Sequence, residues 1–137
     1  MKLSVTQYNL STPGTVYSMR FRVFGSIGSG RAGIYTATSP ATLLVESDVT
    51  GFPVTNIGNY SVPMIPNVSL PAGDYYLAVM TQGDGVNSLT FTFHSQTGST
   101  VYSNTGYSWG PLPSTINISG WGSNGSVAGN VEALVCP

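Results

Sequence analysis

Leu70-Pro71-Ala72-Gly73-Asp74-Tyr75-Tyr76-Leu77-Ala78-Val79-Met80 is the stretch that decides how this chain folds. Its first five residues are turn formers: proline presets φ, glycine reaches backbone angles other residues avoid, and aspartate bonds to its own backbone. Beyond the turn, Tyr75, Leu77 and Val79 alternate with Tyr76, Ala78 and Met80. Period-two alternation marks a strand, because successive side chains leave opposite faces of a sheet. Both faces here are apolar, so the strand belongs centrally in a sheet that is covered on both sides.

Other segments carry the same period. From Thr15 to Phe24, Tyr17, Met19, Phe21 and Val23 fall on one face, with Val16, Ser18, Arg20, Arg22 and Phe24 on the other. That pattern predicts a half-buried strand with its arginines on the wetter side. Gly25 to Gly30 reads as a glycine-rich turn. Short strands are expected at Ala32–Thr36 and Leu43–Ser47. Another is expected at Asn59–Ile65, at an edge or interrupted because Pro63 and Pro66 lack backbone donors. Gln82-Gly83-Asp84-Gly85 would turn Tyr75–Met80 into a hairpin with Leu89–His94. Residues 95–130 are loop-rich and aromatic-containing, with strand character only at Thr115–Ile118; Val131–Val135 is a last strand. The apolar terminal segments Leu3-Ser4-Val5 and Val131–Val135 are expected to pair in one sheet. Eight to ten short strands with frequent turns, in 137 residues, predict one all-β domain over 1–137: a single antiparallel β-sandwich, jelly-roll-like.

Composition narrows the function. Only 7% of residues are charged, against roughly 25% in an ordinary soluble domain. Gly, Ser, Thr and Asn supply 59 of the 137 residues, which disfavours helix interiors. Four Lys/Arg residues are too few for the phosphate-neutralising stripe that nucleic-acid binding needs. No apolar run reaches the ~18 residues of a membrane-spanning helix, so membrane insertion is not expected. The single cysteine, Cys136, allows no internal disulfide; it is read as a buried free thiol or an intermolecular bridge. The start, MKLSVTQYNLSTPG, has no apolar h-region and is not read as a secretory signal. Five Asn-x-Ser sequons, at Asn9, Asn59, Asn67, Asn117 and Asn124, are explained largely by the Asn- and Ser-rich composition.

The middle of the chain resembles a widespread module. Gly33-Ile34-Tyr35, then Leu43-Leu44, then Leu70-Pro71-Ala72-Gly73-Asp74-Tyr75-Tyr76-Leu77-Ala78 is similar to the pattern of jelly-roll-like β-sandwich modules. These modules occur in phage tail, fibre and capsid-surface proteins, and in secreted or anchored bacterial surface proteins. The resemblance spans residues 15–94 and consists of structural residues, with no catalytic set to transfer. It implies the fold and a habitat on a virion or outside the cell.

Candidate chemistry is sparse. His94 is the sole histidine, and no Gly-x-Ser-x-Gly elbow accompanies it, so it reads as a surface residue. Glu46 and Asp48 share a strand face, while Asp74 and Asp84 are accounted for by turns, so a carboxylate-pair glycosidase is not expected. Asp84-Gly85-Val86-Asn87 lacks the ligand ladder of a calcium loop. Structural calcium held by backbone carbonyls with Asp74 or Glu132 stays open; no other cofactor is expected. The suggestive set is Tyr102, Tyr107, Trp109 and Trp121, flanked by Asn104, Asn117 and Asn124. Exposed rings stack on sugar faces or anchor interfaces, and amides bond hydroxyls; the alternative is that Trp109 and Trp121 cover the ends of the sandwich. The expected protein is non-enzymatic: a structural and attachment module of a phage fibre, spike or capsid surface, in a homo-oligomer or larger particle, contacting a glycan through these residues. The alternatives are a carbohydrate-binding module of a secreted bacterial protein, and a filament protomer joined by strand exchange.

Overall fold

A computed structural model of the protein describes residues 2–24, 28–47, 52–54, 58–82, 90–92, 101–124 and 131–136. Among these residues there are twelve strands and no helix. In chain order they are β1 (Lys2–Leu10), β2 (Gly14–Phe24), β3 (Gly28–Thr36), β4 (Ala41–Glu46), β5 (Phe52–Val54), β6 (Gly58–Leu70), β7 (Gly73–Thr81), β8 (Thr90–Thr92), β9 (Val101–Asn104), β10 (Thr115–Ile116), β11 (Gly122–Asn124) and β12 (Val131–Cys136).

Six strands form one antiparallel sheet in the order β11-β9-β1-β7-β3-β4, with β5 beside β3. The second sheet runs β6-β2-β12, with β8 beside β2. One residue pair, Glu46 with Ile65, joins β4 to β6 and links the sheets along an edge. Among the described strands the chain changes sheet between β1 and β2, β2 and β3, β5 and β6, β6 and β7, β7 and β8, β8 and β9, and β11 and β12, so the two sheets of the sandwich are interleaved along the sequence.

The core between the sheets takes Val16 and Met19 from β2, Val62 and Met64 from β6, and Ile34, Leu77 and Val79 from the first sheet. A second apolar cluster lies on the outer face of the first sheet, where Leu3, Val5, Tyr35, Ala78 and Met80 meet Leu112 and Ile116. β7 divides its side chains between the two clusters, Tyr75, Leu77 and Val79 inward and Ala78 and Met80 outward. It runs between β1 and β3 with full ladders on both edges. The two-sided alternation of its sequence describes that position.

Two one-residue irregularities reset the alternation. Opposite β12, Val16 and Ser18 of β2 face the adjacent residues Val135 and Leu134, leaving Tyr17 as the extra residue. Opposite β3, Leu43 and Val45 face Tyr35 and Ile34, leaving Leu44 as the extra one. A bulge shifts every later side chain to the other face. Val16 and Met19, three apart, therefore both enter the core, and Tyr17 and Leu44 are left 40% and 38% exposed. The sequence reading that placed Tyr17 beside Met19 is corrected here. In β4 the same device puts Leu43 on the outer cluster and Val45 in the inner core.

Other expectations are corrected as well. β7 and β8 do not form a hairpin, because both edges of β7 are already paired; β8 pairs with β2. The terminal segments do not pair with each other: β1 lies between β7 and β9, and β12 pairs with β2. Gly28 to Gly30 belong to β3, not to a turn, and pair with Val54 to Phe52 of β5. β6 is one strand, with its pairing to β2 interrupted between Pro63 and Val68 as its prolines suggest. β9 and β11 add strands within the segment read as loop.

The bulge in β2 makes a stability prediction. Met19→Ala should cost about 2–5 kcal/mol by cavity formation, whereas Tyr17→Ser should change stability by about 0.5 kcal/mol or less. Chemical denaturation of both variants checks the assignment, and equal costs would contradict it.

Candidate functional site

The ladder of β9 and β11 pairs Val101, Tyr102 and Ser103 with Asn124, Ser123 and Gly122. Between those strands the chain makes an excursion, residues 105–121, that folds back over the outer face of the first sheet. This strap is pinned by its backbone. Thr115 and Ile116 of β10 pair with Thr42 and Ala41 of β4, and Leu43 N–H donates to the Ser114 carbonyl at 2.8 Å. The Tyr35 hydroxyl donates to the Pro113 carbonyl at 2.7 Å.

Beneath the strap lies an ion pair. Glu46 Oε2 accepts from Arg31 Nη2 at 3.1 Å and from Leu112 N–H at 3.2 Å. Arg31 is 2% exposed and Glu46 22%. A buried guanidinium needs a counter-charge, and the Leu44 bulge is what places Glu46 on the outer face to supply it. Leu112 lies directly on Gly33, where a Cβ would collide with the Leu112 Cδ1 atom and come within 3.0 Å of the Val45 carbonyl. Glycine inside this strand therefore serves close approach.

All four aromatic residues singled out from the sequence come together here. Tyr102, Tyr107, Trp109 and Trp121 are half-buried and pack with Leu43, Tyr76 and Ile118 against the outer cluster. The rings of Tyr107 and Trp121 meet edge to face, with centroids 5.8 Å apart and planes at 63°, a favourable quadrupolar arrangement. Trp121 is set by a turn in which its N–H donates to the Ile118 carbonyl at 3.0 Å. Gly120 in that turn has φ +83°, the left-handed conformation that glycine supplies at the third position of a type II turn.

The amides have local roles. Asn104 Oδ1 accepts from Gly106 N–H at 2.6 Å, and Asn117 Oδ1 from Ser119 N–H at 3.1 Å, fixing the start of the strap and the Trp121 turn. Asn124 lies in β11 with its backbone opposite Val101, and its side chain is outside the described residues. His94, Asp48 and Asp84–Asn87 also lie outside them. Asp74 Oδ1 accepts from Asn9 Nδ2 at 2.9 Å. Asp74 is in β7 of the first sheet and Glu132 in β12 of the second. Among the described residues, no three His, Cys, Asp or Glu side chains gather as a metal-holding group.

Arg31 and Leu112 were not singled out by the sequence reading, and Gly33 and Tyr35 entered it only as part of the module pattern. A glycine inside an apolar strand was the available signal for a close approach, but its partner, about 80 positions away, left no mark in the pattern. The Tyr35 phenol is pushed well above its ordinary value of 10.0, first by burial and then by Glu46 and Tyr107. Tyr76 is raised as well, by burial, then Tyr102 and Asp74.

Comparison with known proteins returned no matching family model, no matching curated protein and no matching solved structure.

The pinning contacts make three predictions. Gly33→Ala should cost about 1–3 kcal/mol by overpacking, and part of that loss should be recovered in the Gly33→Ala/Leu112→Ala double variant, measured as a coupling energy. Glu46→Gln should cost about 1–3 kcal/mol, since it weakens the charge-assisted bonds that the carboxylate makes to Arg31 and to Leu112 N–H. A phenol whose pKa is raised by folding stabilises fully below the unfolded pKa and loses that contribution as pH rises above it. Stability should therefore fall above pH 10, and less steeply in Tyr35→Phe, as read from denaturation midpoints across alkaline pH.

Proposed function

We propose that this protein is a non-catalytic structural and attachment module of a virion surface, a fibre, spike or capsid-surface subunit that contacts host glycans through its strapped aromatic face. The observation that carries the reading is the gathering of Tyr102, Tyr107, Trp109 and Trp121, each half-buried, on one rigidly pinned sheet face. Rings already fixed by packing offer contact area with little entropy left to lose. The resemblance of residues 15–94 to surface modules supports the habitat. The 7% charge content supports a subunit packed against neighbours, because such a surface has little self-repulsion to overcome. Repetition in an assembly would raise the avidity of a weak single site.

A carbohydrate-binding module of a secreted bacterial protein is the second reading, supported by the same aromatic face. It parts from the first in needing no assembly. For a filament joined by strand exchange, either terminal strand is the relevant element; its own chain pairs β1 on both edges, with β7 and β9, and pairs β12 with β2.

Size-exclusion chromatography with light scattering tests the proposal. The virion-module reading expects defined oligomers at micromolar protein. A strict monomer at every concentration, with glycan binding retained, would favour the secreted module instead.

A further inference from the structure

We infer that the strapped aromatic face takes a neutral carbohydrate in preference to an acidic one. This rests on the attachment reading above and adds the chemical class of the ligand.

The argument is one of charge placement. The chain has four cationic side chains, Lys2, Arg20, Arg22 and Arg31. Arg20 and Arg22 belong to β2, in the other sheet. Lys2 begins β1, with its backbone opposite Thr81 of β7. Arg31 is buried beneath the strap with its charge matched by Glu46 at 3.1 Å. A sialic acid carboxylate or a sugar sulfate docking on the rings would therefore meet, among the described side chains, no cation but the buried, paired Arg31, and its desolvation would be costly. Asp74 makes the face still less suited to an anion, since its negative charge already acts on Tyr76.

What the face does offer is neutral. Thr105, Ser108, Asn117 and Ser119 are exposed along the strap, and hydroxyls and amides both donate to and accept from sugar hydroxyls. The half-buried rings of Tyr107, Trp109 and Trp121 supply apolar surface for the C–H face of a pyranose. Recognition of this kind depends little on ionic strength, because no ion pair is formed.

The full chain, labelled and applied to an array carrying neutral hexose and N-acetylhexosamine oligosaccharides beside sialylated and sulfated ones, tests this directly. The expected result is binding confined to neutral probes. Titration with the strongest neutral probe should give affinities within about twofold between 50 and 500 mM NaCl, where ion pairing would be strongly screened. Trp109→Ala and Trp121→Ala should each weaken it on the order of tenfold. Trp121→Phe keeps a ring against the strap and should retain most of the binding, which separates loss of a contact from loss of fold. Preference for sialylated or sulfated probes, or affinity that collapses with salt, would overturn the inference and leave the attachment reading standing. Neutral binding unchanged in both tryptophan variants would overturn the assignment to this face. No binding to any probe would overturn both the inference and the glycan part of the reading beneath it.

Discussion

Leu112 seated on Gly33, with its N–H held by Glu46, is the contact on which the outer half of this protein depends. The first sheet has two apolar faces, and the second sheet covers only one. The other needs a cover drawn from the same chain, and the strap between β9 and β11 is that cover. A segment rich in glycine, serine and asparagine has little intrinsic order, so it must be fixed from outside. Gly33 makes room for Leu112, the Glu46 carboxylate takes the Leu112 amide, and Tyr35 takes the Pro113 carbonyl. The two polar anchors each satisfy a backbone group that burial would otherwise leave unpaired. The aromatic residues then pack on a surface already in place.

The same contact shows why a buried ion pair occurs in a chain with so few charges. Arg31 is in β3 on the outer face, under the strap, where an isolated charge would be unfavourable. Glu46 reaches it because the Leu44 bulge turns the end of β4 over. Were Leu44 a regular ladder position instead, strict alternation from Leu43 would send Glu46 to the inner core and Val45 outward. One inserted residue thus sets the position of a carboxylate that serves both the sheet and the strap.

Much of this architecture was legible in the sequence, and the reasons are local. Tyr75 to Met80 could be placed centrally because an apolar residue on each face requires cover on each. The all-β sandwich followed from repeated period-two segments and turn residues. Tyr17 was misplaced because a bulge has no compositional signature when any residue can fill the extra position. The pairing of β8 with β2, and of β12 with β2 instead of β1, depended on which strand edges were already occupied, which is a property of the whole sheet. At the candidate site, the aromatic residues were identified by type, but not what holds them. Gly33 and Leu112 lie about 80 residues apart, and their contact is written in shape complementarity, which a linear pattern does not carry.

Amide hydrogen exchange resolved along the chain tests this account most directly. If the strap is locked to the sheet, the amides of Leu43 and Leu112 exchange as slowly as those in the centre of β7. In Gly33→Ala protection is then lost across 105–121 while β7 and β2 keep theirs. Rapid exchange at Leu112 in the unmodified protein, or strap protection unchanged by Gly33→Ala, would contradict it.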